Sequence, residues 1–139
     1  MAYPGGFSLV KDSGDTEMVE LPISSLTLAV GDMIELDLGA TTWTTADAST
    51  MHWQKKAVCQ EAATSSATVV KAIILTDNQT WVAETANNSA AADNGDRMLL
   101  TDQNTVNNTG TDNTSNEACV VQVAPSGAAA DKRVLCRIV

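Results

Sequence analysis

The amino-acid sequence predicts an all-β protein: a small antiparallel β-barrel or β-tulip-like domain with an extended N-terminal arm and long polar loops. Short segments alternate apolar and polar residues with a period of two, which is typical of half-buried strands. Clusters of Gly, Asp, Asn and Pro separate these segments, and no segment has a clear 3.6-residue helical period. We expect roughly eight to ten strands from this pattern. At 139 residues, the chain has the length of one domain.

The N-terminal segment is predicted to be separate from the rest of the domain. Residues 1–22 are expected to form an arm with edge strands, and residues 23–139 are expected to form a single β-domain. Phe7–Val10 is a short apolar strand candidate within the arm. Pro22 lacks a backbone N–H, so the strands before it are expected at a sheet edge or in the arm.

The segment Leu26–Leu38, with the sequence LTLAVGDMIELDL, organises the predicted sheet. Apolar and polar residues alternate on both sides of Gly31-Asp32. Glycine supplies the positive φ that a tight hairpin turn requires, and Asp tolerates the neighbouring turn position. We therefore expect a β-hairpin with one buried face and one solvated face.

Three later segments extend the predicted sheet. Met51–Cys59 fits a strand better than a helix, and Ala67–Thr76 has the strongest β-branched run in the chain, which favours a central strand. Gly95–Leu100 echoes Gly31–Leu36, because each begins with Gly-Asp and continues into an apolar strand pattern. Two such entries into a strand suit corresponding positions in a barrel, although the shared residues are too few to establish a repeat.

The segment Thr101–Glu117 is predicted to be a long polar surface loop or projection. It is rich in Thr and Asn and contains a single aliphatic residue, Val106. Such a composition does not favour a place in the core. The segments Ala118–Ala124 and Arg133–Val139 are expected to be the closing strands.

Charge and cysteine content exclude several functional classes. The formal net charge of −9 repels phosphate groups, so nucleic-acid binding is not expected. The three cysteines are odd in number and scattered, which favours free or buried thiols in a reducing compartment over a disulfide framework. We expect no membrane span and no secretory signal, and we expect the protein to be made in a cytoplasm.

The residues that carry chemistry form no recognisable catalytic or metal-binding pattern. His52 is the sole histidine, and neither a nucleophile motif nor a phosphate-binding glycine motif is present, so no enzyme, cofactor or metal site is expected. Calcium binding by Asp102 and Asp112 is an alternative that the spacing does not favour. Trp43, Trp53 and Trp81 suit either a sugar-stacking platform or, as we favour, the core or a subunit interface.

The chain resembles the head decoration (cement) proteins of tailed bacteriophages. Five regions carry the resemblance. They are Leu26–Leu36, the Ala-rich turn before Thr68–Leu75, Ala90–Leu100, Thr105–Asp112 and the closing segment Ala124–Val139.

The resemblance implies a structural virion protein, made in the host cytoplasm, that occupies the outer capsid surface. It would be a homo-oligomer, usually a trimer, and would stabilise the shell by bridging subunits of the major capsid protein. It implies no catalytic residue. The alternative is a virion fibre, spike or carbohydrate-binding module that recognises a host glycan. The interface is expected to involve apolar residues of the arm and two tryptophans, namely Tyr3, Pro4, Phe7, Leu9, Val10, Trp43 and Trp53.

Overall fold

The computed structural model describes residues 6–11, 16–76, 79–108, 116–125 and 132–139. These residues form eleven strands and one short 3₁₀ helix at Ala91–Asp93, which confirms the predicted all-β barrel class. Among them, no helix is long and apolar enough to cross a membrane. The strands are β1 (Phe7–Lys11), β2 (Met18–Pro22), β3 (Met33–Leu36), β4 (Thr44–Thr45), β5 (Lys55–Cys59), β6 (Val69–Ile74), β7 (Thr80–Thr85), β8 (Arg97–Asp102), β9 (Thr105–Asn107), β10 (Val120–Pro125) and β11 (Arg133–Ile138).

The C-terminal half of the chain forms a closed five-stranded barrel. Its strand order is β7-β11-β10-β8-β9, and β9 pairs back onto β7 in parallel, with Glu84 opposite Thr105 and Thr85 opposite Val106. Strand β1 joins this sheet as a sixth strand on the edge of β7. We call β7–β11 the second barrel.

The N-terminal half forms a sheet in the order β2-β6-β5-β3-β4. A single parallel bridge between Ile23 and Trp43 joins the chain after β2 to the chain before β4. The Trp43 N–H donates to the Pro22 carbonyl at 2.8 Å, so this sheet also curls closed. We call β2–β6 the first barrel.

The two barrels are structural repeats of one topology. Strands β2 to β6 occur in the same spatial order as β7 to β11, and the closing bridges correspond. Met33 lies opposite Val58 and Val58 opposite Ile73. At the equivalent positions Arg97 lies opposite Val121, and Val121 opposite Arg137.

Each barrel has its own apolar interior, and the first barrel packs its outer face against the second. Ile34, Val70 and Ala72 belong to the interior cluster of the first barrel. Met33, Val58 and Ile73 alternate with interior residues and belong to the cluster that fills the second barrel. The Met33 N–H donates to the carbonyl of Gln103, in the β8–β9 turn, at 2.7 Å. The outer face of the first barrel therefore closes one end of the second.

The prediction of a hairpin at Leu26–Leu38 is wrong. Leu28 bridges Ala63 and Met33 pairs with Val58, so both sides of the Val30-Gly31 turn run along the same partner segment. Gly31, at φ 92°, bends one continuous strand path instead of reversing it. The expected solvated face is also wrong, because Met33 contacts one core, Ile34 lies in the other, and Glu35 is buried with them.

The prediction of a polar loop over Thr101–Glu117 holds only in part. Thr101 and Asp102 end β8, and Thr105–Asn107 is β9, the strand that closes the second barrel. Val106 is fully buried in its core. Residues 109–115 of the predicted loop lie outside the described residues.

Residues of the predicted N-terminal arm form β1 and β2 where the structure describes them. Phe7 lies opposite Ala83 of β7, and its N–H donates to the Gly31 carbonyl of the first barrel at 2.9 Å. Pro22 ends β2 opposite Val69 of β6. The Ala67–Thr76 segment contains β6, which lies between β2 and β5 as a central strand should.

Candidate interaction surface

An exposed apolar projection lies where β3 and β4 are joined at one end of the first barrel. Strand β3 ends at Leu36, and the Ala40 N–H donates to the Asp37 carbonyl at 3.0 Å to form a turn. Gly39 has φ 81°, which an L side chain rarely adopts. Leu38 is carried outward by this turn and is 92% exposed.

A second turn, Met51–Gln54, holds Trp53 beside Leu38. The buried Lys56 ammonium donates to three carbonyls of this turn, those of Met51 (3.2 Å), His52 (3.0 Å) and Gln54 (2.7 Å). The Gln54 amide donates to an Asp37 carboxylate oxygen at 2.7 Å and so joins the two turns. Trp53 is 56% exposed on this fixed support.

A third turn, after β4, places another carboxylate at this end. The Asp47 side chain accepts from the Ser49 N–H at 2.8 Å and from the Ser49 hydroxyl at 2.6 Å. The Asp47 N–H donates to the hydroxyl of the buried Thr50 at 2.9 Å. Such side-chain to backbone bonds fix an Asx turn.

Glu35 is the buried member of the acidic group. Burial is the largest cause that raises the pKa of its carboxyl, and the nearby Asp37 and Asp47 act in the same direction. A hydrogen bond from Thr50 and the charge of Lys56 oppose the rise. Glu35 Oε2 is buried and has no hydrogen-bond partner in the described parts of the chain. A buried carboxyl oxygen of this kind calls either for protonation of the carboxyl or for a donor that the described chain does not supply.

Lys56, directly across the strand pair from Glu35, is also buried. Burial lowers the pKa of its ammonium, while the charge of Glu35 acts to raise it. Its three carbonyl partners compensate the ammonium for lost water. Lys56 therefore holds the Met51–Gln54 turn, which carries Trp53, in place.

These features together form what we call the acidic end of the first barrel. A depression of about 540 Å³ is lined by Glu35, Asp37, Leu38, Asp47 and Trp53, among others. A second depression, of about 310 Å³, adjoins it and shares Asp37, Leu38 and Trp53. Exposed apolar side chains beside carboxylates on fixed turns suit the binding of a macromolecule with basic and apolar groups.

The second candidate surface is the outer edge of β2. In the second barrel β1 pairs with β7 from Phe7 to Lys11. In the first barrel β6 pairs with one side of β2, and within the described ranges no strand pairs with its other side along Met18–Leu21. Met18 on this strand is 55% exposed. An open edge offers unpaired backbone groups to another strand.

The predicted interface residues are divided between core and surface. Phe7 and Trp43 fill the protein's own cores, so in this fold their side chains are not available to a partner. Leu9 packs partly against the core, Val10 is 48% exposed, and Trp53 is exposed. Tyr3 and Pro4 lie outside the described residues.

Sequence reasoning missed most of the acidic end. The alternation over Leu26–Leu38 placed Leu38 on the buried face of a strand, but β3 ends two residues earlier. Leu38-Gly39 at the end of a strand was the available signal, since glycine terminates regular structure. Asp47, two residues before Ser49, was a signal for the Asx turn.

The described residues bring together no candidate metal site, and their cysteines and tryptophans are dispersed. None of their His, Cys, Asp and Glu side chains form a group of three or more that could hold a metal ion. Cys59, Cys119 and Cys136 are buried free thiols, as predicted. Trp81 is fully buried, so the three tryptophans form no common sugar-stacking platform.

No protein-family model matches the chain, and no curated protein matches its sequence.

Proposed function

We propose that this protein is a structural virion protein that decorates the outer surface of a phage capsid and stabilises it by bridging subunits of the major capsid protein. The proposal includes a homo-oligomer, with a trimer as the expected form. It rests on the resemblance described above and on the surfaces of the two barrels.

The observation that carries the proposal is the open edge of β2. The equivalent edge of β7 is already completed by β1, so this fold accommodates an added antiparallel strand at that position. An extended segment of a capsid subunit would complete β2 in the same way, by backbone hydrogen bonds. Glu20 and Pro22 restrict indiscriminate pairing, because charge and proline both oppose aggregation at an edge.

The charge and architecture of the chain suit this role. A net charge of −9 keeps the protein away from nucleic acid and favours the outer side of a shell. Two barrels, each with its own packed core, form a unit that can join neighbouring subunits and oppose their separation.

Co-sedimentation with expanded capsid shells tests the proposal. The wild-type protein is expected to sediment with the shells, and Met18→Lys is expected to weaken binding by about tenfold or more, because it places a charge beside the added strand. Val30→Lys, which changes another exposed apolar residue away from β2, is the matched control and should bind normally. Absence of wild-type binding, or equal binding by the Met18 variant, would contradict the proposal.

The glycan-binding alternative has one specific observation in its favour. Trp53 is exposed next to the Asp37 carboxylate and the Gln54 amide, which together provide a stacking face and polar groups. Intrinsic tryptophan fluorescence, measured with a panel of glycans, separates the two functions. A saturable change that Trp53→Ala abolishes would favour glycan recognition, and a flat response across the panel would remove it.

A further inference from the structure

The contact between the two barrels joins an outer face of the first barrel to an end of the second barrel. Because the architecture is repeated, the chain has two such outer faces and two such ends, and the contact uses one of each. Within the chain, the outer face of the first barrel (Met33, Val58, Ile73) closes one end of the second barrel. Because the barrels are repeats, the second barrel has an equivalent outer face and the first barrel has an equivalent end. Among the described residues, no contact joins these two remaining surfaces.

The equivalent end of the first barrel is the acidic end. The covered end of the second barrel contains Gln103, directly after β8, and Ile138, the last residue of β11. In the first barrel, the corresponding strand end is β3 at Leu36, followed by the turn that carries Leu38. Leu38 and Trp53 are therefore exposed where the second barrel has a packed contact.

The equivalent outer face belongs to the second barrel and is basic and apolar. Arg97, Val121 and Arg137 occupy the positions of Met33, Val58 and Ile73. Val121 is half-buried and Arg137 is exposed. The Arg97 guanidinium lies on the same strand face and donates to the Ala118 carbonyl at 2.8 Å.

The two remaining surfaces are complementary in charge. The acidic end presents Asp37 and Asp47 around the buried Glu35, whose Oε2 has no partner in the described structure. The outer face of the second barrel presents the exposed Arg137, in a chain with only eight basic residues. Apolar side chains flank the charges on both sides, with Leu38 and Trp53 on one surface and Val121 on the other.

We propose that the acidic end of one copy binds the outer face of the second barrel of a second copy. The contact is head-to-tail, and each copy keeps one acidic end and one basic face for its neighbours. Successive copies then close into a ring if the rotation allows it, or extend as a filament. The proposal specifies the surfaces of self-association and does not depend on capsid binding.

Sedimentation velocity and light scattering on the full chain, over a range of protein concentrations, test the contact. The wild-type protein is expected to associate, and Asp37→Lys and Arg137→Glu are each expected to weaken self-association by about tenfold or more. Leu38→Ser is expected to weaken it without changing charge. Asp93→Lys, on the 3₁₀ helix of the second barrel, is the charge-matched control and should associate normally.

A mixture of the two charge-reversal variants provides the decisive comparison. Asp37→Lys and Arg137→Glu should associate with each other, because an intact acidic end then meets an intact basic face. The double variant with both Asp37→Lys and Arg137→Glu should also recover association, because the two reversed charges are again opposite in sign. Circular dichroism confirms that each variant is folded.

A wild-type protein that stays monomeric at all concentrations, or a mixture that does not associate, would overturn the proposal. Shell binding is measured separately on the same variants. Monomeric variants that still bind shells would leave the capsid proposal intact, whereas an associating protein that ignores shells would leave only the head-to-tail contact.

Discussion

Gly31 and Gly95 occupy equivalent positions in the two barrels. The Gly31 N–H donates to the Cys59 carbonyl at 2.9 Å, and the Gly95 N–H donates to the Gln122 carbonyl at 2.8 Å. Their φ angles are 92° and 89°. Each glycine is followed by an Asp whose carbonyl accepts the N–H of the same partner residue, Cys59 or Gln122. The Gly-Asp echo in the sequence therefore marks a repeated structural unit.

Gly6→Ala is expected to destabilise the fold more than Gly39→Ala. Both glycines have φ near 80°, so each substitution incurs about 1–2 kcal/mol of backbone strain. A Cβ at Gly6 would also lie 2.4 Å from the Gly31 carbonyl oxygen, whereas a Cβ at Gly39 meets nothing within 4 Å. The excess should be about 1–3 kcal/mol in denaturant unfolding. Equal losses would mean that β1 does not lie closely against the first barrel.

Val106→Ala should lower the free energy of unfolding by about 2–3 kcal/mol, because it opens a cavity in the second barrel. Val106 is fully buried where β9 closes onto β7. The exposed Val123→Ala is the matched control and should change stability by less than about 0.5 kcal/mol. Similar small effects for both variants would contradict the closure by β9.

The all-β class was predictable because strand periodicity and turn residues are local signals, whereas the Gly-Asp echo alone was too short to establish the duplication. The repeats share burial positions more than residue types: Met33 and Ile73, which face the other barrel, correspond to Arg97 and Arg137. Strand β9 escaped prediction because three residues with one buried valine show no period.

The residues predicted for the interface differ in exposure, and their contact with a partner stays a prediction. Trp53 and Val10 are exposed, but Phe7 and Trp43 are buried, and composition cannot distinguish a core aromatic from an interface aromatic. Leu38 was missed because its exposure depends on where β3 ends. Glu35 was missed because a carboxylate in an alternating strand is usually solvated.

Glu35→Gln is expected to gain stability relative to the wild-type protein as the pH rises from about 4 to about 7. The unfolded carboxyl ionises near 4.5, and burial raises its pKa in the fold. The neutral carboxyl therefore stabilises the fold fully below pH 4.5. This contribution is lost as the pH rises through the higher pKa of the folded state. Glutamine stays neutral, so the difference in the free energy of unfolding should grow as the pH rises.

Denaturant unfolding at several pH values measures this trend. Glu84→Gln removes a charge from an exposed position and is the control. A difference between Glu35→Gln and the wild-type protein that is constant with pH, or that reverses, would show that the carboxyl is already well compensated in the fold.

The three thiols are expected to resist labelling in the native protein at about pH 8. Burial raises the pKa of Cys59 to about 12 and that of Cys119 to about 11, and it raises the pKa of Cys136 as well. Ellman's reagent requires an accessible thiolate, so labelling should be slow until denaturant is added and should then reach three thiols per chain. Rapid labelling of the folded protein would show that a barrel opens readily.

Calorimetry of capsid shells tests the proposed function most directly. Expanded shells are melted alone, with the wild-type protein, and with the Met18→Lys variant. A protein that bridges capsid subunits binds the assembled shell and not its separated subunits, so it should raise the shell melting temperature in a concentration-dependent way. The variant should raise it less. A shell melting temperature that the wild-type protein leaves unchanged at saturating concentration would contradict the proposed function.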